Sequence, residues 1–456
     1  MGGRVGITRF VIKTSKGLNF SINEEDENGG GKRIFIRWNH ERARRCVEED
    51  YWAPQPTFRD RQLERVFRIT RSVADRLLQV AAQSDEFFTE RFDAALKRGI
   101  CPKVKLLMGL KCIAYGVLPS GFQDYFQMGE MTGRDCVKKL IHAISQSDEL
   151  RSIFLRLMTR ADARRDTELH QEKHGINGMI GSLDCMHVGW KNCPVAWQGQ
   201  FSGAKGKPTL VLEAFADYNL WIWHVVFGWA GTLNDINIWD RSPLLQAFID
   251  GSFSADVDFE FEIADIVFFR LWLLTDGIYP EIAQFVKTIQ EPGGGLSSMY
   301  AAWQEAARKD IERAFGVLQR KFHILVKDFE LWYISDIGMV VETCVMLHNM
   351  MVAERISRDE EEGTTWYEYG ATDPEDADDG NNEDDGAQDP DEEFIERQEA
   401  ELNLHRQIEQ AFLGPGETGN LHLEQLRNDC QFLTLRQQCA DRRWGSLYDP
   451  LEHNRL

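Results

Sequence analysis

Residues 178–190 read GMIGSLDCMHVGW, an apolar run with an aspartate near its centre. Residues 207–218 (KPTLVLEAFADY) and 220–231 (LWIWHVVFGWAG) have the same texture, rich in Val, Leu, Ile and Trp and bounded by turn residues. The three runs predict three consecutive β-strands. Residues 234–251 (NDINIWDRSPLLQAFIDG) read as helical, and 269–280 (FRLWLLTDGIYP) as a fourth strand closing on Asp-Gly. Two long helices follow, at 301–325 and 336–356, each with apolar residues at helical spacing. Three strands, a helix, a strand and then helices predict a mixed α/β domain over 175–355.

Upstream, residues 1–60 read as a flexible lead that turns basic from Lys32 onward, and residues 61–150 as an all-helical domain. The stretch 58–83 (FRDRQLERVFRITRSVADRLLQVAAQ) keeps helical spacing throughout and predicts one helix. PKVKLLMGLKCIAYG, 102–116, predicts a second, opened by Pro102. After a turn at 118–121 and the short piece FQDYF, Thr132 is the expected N-cap of a third. Helix, turn, short helix, turn, helix is a helix-turn-helix-like outline, equally compatible with DNA docking and with plain scaffold.

Length and charge bound the rest. The 456 residues allow two to four domains, and the mean hydropathy of −0.40 suits a chain without membrane spans. No uncharged apolar run approaches the roughly 20 residues of a spanning helix, and the opening MGGRVGITRF has no apolar secretory core. The nine cysteines (46, 101, 112, 136, 185, 193, 344, 430, 439) form no C-x-x-C pair, which fits a reducing compartment. The net charge of −21 is concentrated: Asp359 to Glu399 holds 19 acidic residues and one Arg, leaving only −3 on the other 415 residues. Such a block cannot bury apolar surface, so 356–400 is expected to be a disordered acidic segment, with a helical element at 401–456. A near-neutral body is compatible with a local DNA-binding groove.

Chemistry centres on carboxylates in unusual places. Asp184 lies within the first strand, where aspartate is depleted and costly to bury. Asp276 ends the fourth strand, where an Asp-Gly turn is the ordinary explanation. Glu312 lies on the first long helix, with Arg308 one turn earlier as its natural i, i+4 ion-pair partner. Singly, each has a structural explanation. Together they can converge at the carboxyl edge of a mixed sheet, where hard oxygen donors select Mg²⁺ or Mn²⁺. Two such ions suit phosphodiester cleavage. Neither a G-x-x-x-x-G-K-[ST] phosphate loop nor a G-x-S-x-G elbow occurs.

The strings at 181–245 (GSLDCMHVGW through DRSPLL), 273–280 (LLTDGIYP), 304–322 (QEAARKDIERAFGVLQRKF) and 346–351 (MLHNMM) resemble the PIF/Harbinger transposases and their domesticated, nuclease-like derivatives. The resemblance spans about residue 100 to 355 and implies an RNase-H-like DDE nuclease core. It also implies that Asp184, Asp276 and Glu312 are the catalytic triad, with Asp235 a fourth metal ligand or near neighbour of the metals; the competing explanation for Asp235 is an N-cap of the following helix, and the two roles are compatible. Arg308 and Glu312 match the Arg and Glu of the related signature Y-x₂-R-x₃-E-x₆-K. Glu305 stands in place of its Tyr and Gln319 in place of its Lys, with Arg320 and Lys321 adjoining. Arg308, Arg320, Lys321, Lys191, Lys205 and Lys207 are candidate DNA contacts, and His187 a candidate neighbour of the metal ligands. For the lysines the competing explanation is a solvated loop, for His187 a structural histidine.

The expected activity is metal-dependent cleavage of double-stranded DNA at terminal inverted repeats, then joining of the 3′-hydroxyl to a target site. The resemblance further implies a Myb/SANT-like partner protein and a nuclear location; a homo-oligomer is a further partner expectation that the sequence itself does not specify. The alternative is a domesticated, non-cutting scaffold associated with chromatin.

Overall fold

The computed structural model describes residues 36–362, apart from 93, 95, 175–176, 204–205, 240, 250–252, 254–258, 264–265, 269–270, 280–283 and 290–295. Most of the N-terminal lead, the acidic segment beyond residue 362, the helical element expected at 401–456 and Lys205 lie outside the described residues.

The first part is helical: α1 (His40–Val47), α2 (Asp60–Phe67), α3 (Arg71–Ser84), α4 (Pro102–Tyr115), α5 (Gln123–Phe126), α6 (Glu130–Gln146), α7 (Asp148–Phe154) and α8 (Arg160–His174). Two details differ from expectation. The helix predicted over 58–83 is broken in two: Arg68 adopts a left-handed conformation (φ 62°) and closes α2, and the Thr70 hydroxyl restarts the chain by accepting from Val73 N at 3.3 Å. The buried Phe67 and Ile69 on either side of this break preserve the apolar rhythm, so periodicity conceals it. The N-cap of α6 is Gly129, and Thr132 falls inside the first turn. Pro102 does open α4, which is buried along nearly its whole length.

A five-stranded sheet follows, in the order β3-β2-β1-β6-β7, from β1 (Met179–Gly189), β2 (Thr209–Ala216), β3 (Ile222–Ala230), β6 (Trp272–Leu274) and β7 (Phe285–Val286). The first three strands form an antiparallel meander, and β6 and β7 run parallel to β1. β4 (Phe261–Ile263) and β5 (Ile266–Phe268) make a separate small hairpin. The helices α9 (Val195–Phe201), α10 (Asp235–Trp239) and α11 (Pro243–Ile249) connect strands, and α12 (Leu296–Lys321) and α13 (Ile334–Glu362) close the domain.

Strand alternation sorts the side chains to two faces. Leu183, Phe215 and Leu273 pack with Leu244 and Phe248 of α11 and with Ala163 of α8. Met186, Leu212 and Ala214 pack on the other face with Ile311, Ala314 and Leu318 of α12 and with α13. That second cluster is continuous with the buried faces of α1–α4 and α6, so the helical part and the sheet share one core. α13 is the one described helix long and apolar enough to cross a membrane, and it is mostly buried within the protein.

Asn349 explains how α13 is pinned. Its Oδ1 accepts from Ile222 N at 3.0 Å, and its Nδ2 donates to the carbonyls of Phe154 and Ile222, each at 2.8 Å. The side chain is fully buried. Asn349→Ala would strand three buried backbone groups, and urea unfolding is expected to register a loss of about 2–4 kcal/mol.

Candidate active site

Strand register brings the two aspartates together. Ser182 of β1 is level with Leu274 of the parallel neighbour β6. Asp184 and Asp276 each lie two residues further on, Asp184 still within β1 and Asp276 just past the end of β6, so the pairing brings both to the same edge of the sheet. Ser182 Oγ donates to the Ala307 carbonyl at 3.4 Å, which identifies the Ser182 face of β1 as the one covered by α12. Gln304, on the same helix, donates to the carbonyls of Thr275 and Val286. α12 is thus fixed across the strand ends one turn before the residues that matter.

Those residues are Arg308 and Glu312. Arg308 Nη1 lies 3.0 Å from Glu312 Oε1 and 3.5 Å from Asp184 Oδ2. The i, i+4 pair expected from the sequence is present, and the guanidinium also bridges to the strand. Asp184 keeps a fifth of its side chain exposed, and its Oδ1 accepts from Cys185 N at 2.8 Å. Burial pushes its carboxyl up to about 6. The backbone bond and Arg308 oppose the rise, and the charges of Asp235 and Glu312 add to it. Asp276 is exposed, and its Oδ1 accepts from Gly277 N at 2.5 Å. The Asp-Gly turn therefore exists and leaves a carboxylate oxygen directed elsewhere.

Asp235 corrects one expectation. The N-cap of α10 is Asn234, whose Oδ1 accepts from Asn237 N at 3.0 Å, and Asp235 is the first helical residue. Its carboxyl is half-buried and raised by that burial, with a hydrogen bond from Cys185 and the charge of His187 opposing and the charges of Asp276 and Glu213 reinforcing. It therefore meets β1 on the side of Cys185 and His187, within electrostatic reach of both aspartates. His187 is exposed and pairs through Nδ1 with Thr209 Oγ1 at 3.0 Å.

The basic candidates are dispersed. Lys191 is exposed, its ammonium 2.6 Å from Glu330 Oε1. Lys207 is exposed in the turn before β2. Lys321 stands nine residues beyond Glu312, about 13 Å along the helix. Burial lowers its ammonium to about 8, helped by Arg355, Arg68 and Arg358 and opposed by Glu64. Lys321 and the adjoining Arg320, itself only partly exposed, thus sit at the far end of α12 from the carboxylates, and Lys321 is drawn inward. Two neighbours of the site escaped the sequence reading. Glu213, buried opposite Cys185 in the strand pairing, has its Oε1 3.7 Å from His224 Nε2. Tyr279 Oη lies 3.4 Å from Cys185 Sγ. A glutamate in the middle of TLVLEAFA was the available signal, since burying one is costly.

Residues 153–360, from the end of α7 to the end of α13, match the family model described as "Plant transposon protein". This segment, somewhat under half of the chain, is similar to the plant transposon proteins. The chain is also 25% identical over 259 residues to "Putative nuclease HARBI1" of Bos taurus, covering 56% of this chain and 68% of the relative. It is 27% identical over 188 residues to the protein of the same description from Rattus norvegicus, covering 40% and 51%. No solved structure matches the chain. The matched segment contains all four carboxylates and Arg308.

Proposed function

We propose that this chain is a divalent-metal-dependent DNA endonuclease of the PIF/Harbinger transposase type, built on an RNase-H-like DDE core. The observation that carries the reading is the parallel pairing of Ser182 with Leu274, two residues before Asp184 and Asp276, beside the helix whose Arg308 bridges Glu312 to Asp184. An antiparallel meander extended by two parallel strands supports the RNase-H-like assignment.

The donor set fits the metals expected. Asp184 feels the charges of Asp235 and Glu312, Asp235 feels that of Asp276, burial and like charge raise Asp184 and Asp235, and a guanidinium stands between Asp184 and Glu312. Such a cluster calls for added positive charge, and its hard oxygen atoms suit Mg²⁺ or Mn²⁺. Asp184, Asp276 and Glu312 would hold the ions, with Asp235 supporting them from the Cys185 side. Bound there, they would supply Lewis-acid stabilisation and an activated nucleophile for phosphodiester cleavage. Arg308 balances the carboxylates, and its position lets it meet the phosphate once they are neutralised. We also propose double-stranded DNA ending in inverted repeats as substrate, joining of the 3′-hydroxyl to target DNA, a Myb/SANT-like partner, a homo-oligomer and a nuclear location.

The test is nicking of DNA carrying candidate inverted repeats with Mg²⁺ or Mn²⁺, with and without a Myb-like partner. Glu312→Gln is expected to lower the rate on the order of 10³-fold or more, as loss of a group acting as part of a catalytic unit does. Cutting that survives this substitution would sink the site assignment. No cutting in either arm, with metal still bound at the carboxylates, would favour the adopted scaffold.

A further inference from the structure

A second cluster lies on the other side of α12. His170 and His174, one turn apart on α8, present their rings to the same side, with ring centroids 5.6 Å apart. Asp310 meets them from α12, its Oδ2 3.3 Å from His174 Nε2. One nitrogen from each ring and one carboxylate oxygen all lie within 4.8 Å of one another. On α12, Asp310 is two residues from both Arg308 and Glu312, and a two-residue step turns a helix by about 200°. It therefore points away from the Asp184 side and belongs to a different site.

Ordinary packing does not account for this cluster. His170 is fully buried, and among the described residues neither of its ring nitrogens has a hydrogen-bond partner. Buried polar side chains nearly always find one, so an orphan of this kind needs an explanation. Asp310 is also fully buried. Its Oδ1 is taken by Arg313, and Oδ2 is left to face the histidines. The Tyr218 ring closes the cluster, its centroid 5.2 Å from that of His174 and 6.2 Å from that of His170.

We propose that His170, His174 and Asp310 form a three-ligand zinc site, its fourth position left to water, that ties α8 to α12. Two imidazole nitrogens and one carboxylate oxygen make a donor set suited to Zn²⁺, whereas Mg²⁺ and Ca²⁺ prefer oxygen alone. With Zn–N bonds of about 2.0–2.1 Å, the edge of a tetrahedron is about 3.3 Å. His174 and Asp310 already stand at that separation, and His170 has to close the remainder. The ion would give His170 the partner it lacks. It would also lock the helix that carries Arg308 and Glu312 against α8, which leads directly into the Asp184 strand. Trp303 Nε1, donating to the His174 carbonyl at 2.8 Å, already joins the same two helices nearby. This site does not depend on the nuclease reading.

The test is equilibrium dialysis of the full chain, stripped by chelator, against Zn²⁺, with Co²⁺ as a visible-absorption probe. About one tightly held Zn²⁺ per chain is expected at this site. His174→Gln and His170→Gln should each weaken it by about 100-fold or more, since even losing an outer partner of a zinc ligand costs 10–100-fold. Asp184→Asn, which cripples the carboxylate site, should keep this zinc. If the histidine variants fail to fold, the Asp184→Asn chain still decides: a tetrahedral Co²⁺ band that Zn²⁺ displaces supports the site. Absence of tight Zn²⁺ or Co²⁺ in the Asp184→Asn chain overturns it. So does a zinc affinity that folded histidine variants leave unchanged.

Discussion

Asp184→Asn is expected to abolish metal-dependent cleavage and, at the same time, to raise the melting temperature of the metal-free protein at pH 7.5. Both effects follow from one arrangement. The carboxyl is held at about 6, against an ordinary value of 3.8, chiefly because it is buried. Between those two values the folded chain binds more protons than the unfolded chain, so stability falls as pH rises through the window. Above it the loss is complete. A shift of about two units has a ceiling of roughly 3 kcal/mol. Residual exposure and the forfeited contact with Arg308 reduce the expected gain in Asn to about 1–2 kcal/mol at pH 7.5, vanishing below pH 4. Added Mn²⁺ should stabilise the native chain and leave the variant almost unchanged, because it binds the charged cluster only in the folded state. Thermal melts across pH 4–8, with and without Mn²⁺, read out all three. A variant that melts below the native chain at pH 7.5 would mean that Asp184 is a structural ion-pair partner and not a strained ligand.

What the sequence disclosed, and what it hid, divides along contact range. β1, β2 and β3 are legible because each is a short apolar run closed by Gly, Pro or Asn, and α12 and α13 because their apolar spacing persists for many turns. β7 is only Phe285–Val286, two residues made a strand by pairing with β6, and no local pattern announces it. The break at Arg68 was hidden because the apolar rhythm runs through it, although the Thr70 cap was in plain view. At the site, the residue types were legible but their orientations were not. That Asp184 and Asp276 come to the same sheet edge depends on a parallel register between segments some ninety residues apart. That Asp235 lies on the Cys185 side depends on Asn234 taking the cap. His170, His174 and Asp310 had a visible half, the i, i+4 histidines, and a partner 136 residues away from His174 that only the fold supplies.

Gly181→Ala is expected to be the most damaging small substitution in the sheet. Gly181 sits where the pairing of β1 with β6 shifts register, and its φ of 148° lies outside the range that side chains ordinarily accept. A Cβ there would lie 2.3 Å from the Ala216 carbonyl oxygen and 2.9 Å from its carbon. The obstacle is the backbone of the paired strand β2, so no side-chain rotation relieves it. The chain can either keep the bulge and bear the clash or move β1. Bearing it is expected to cost about 3–5 kcal/mol, the range of severe steric lesions. Moving the strand by one residue would turn every β1 side chain to the opposite face, carrying Asp184 away from α12 and from Asp276. Nicking should therefore fail in either case, and urea unfolding distinguishes them: a large loss of stability for the first, a smaller loss with altered metal binding for the second. Gly199→Ala is the matched control. That glycine is exposed within α9, and an added Cβ meets no atom within 4 Å. Alanine there should be neutral or stabilising by up to about 1 kcal/mol. If both substitutions behave alike, the bulge does not set the pairing of β1 with β6 that brings the two aspartates to one sheet edge.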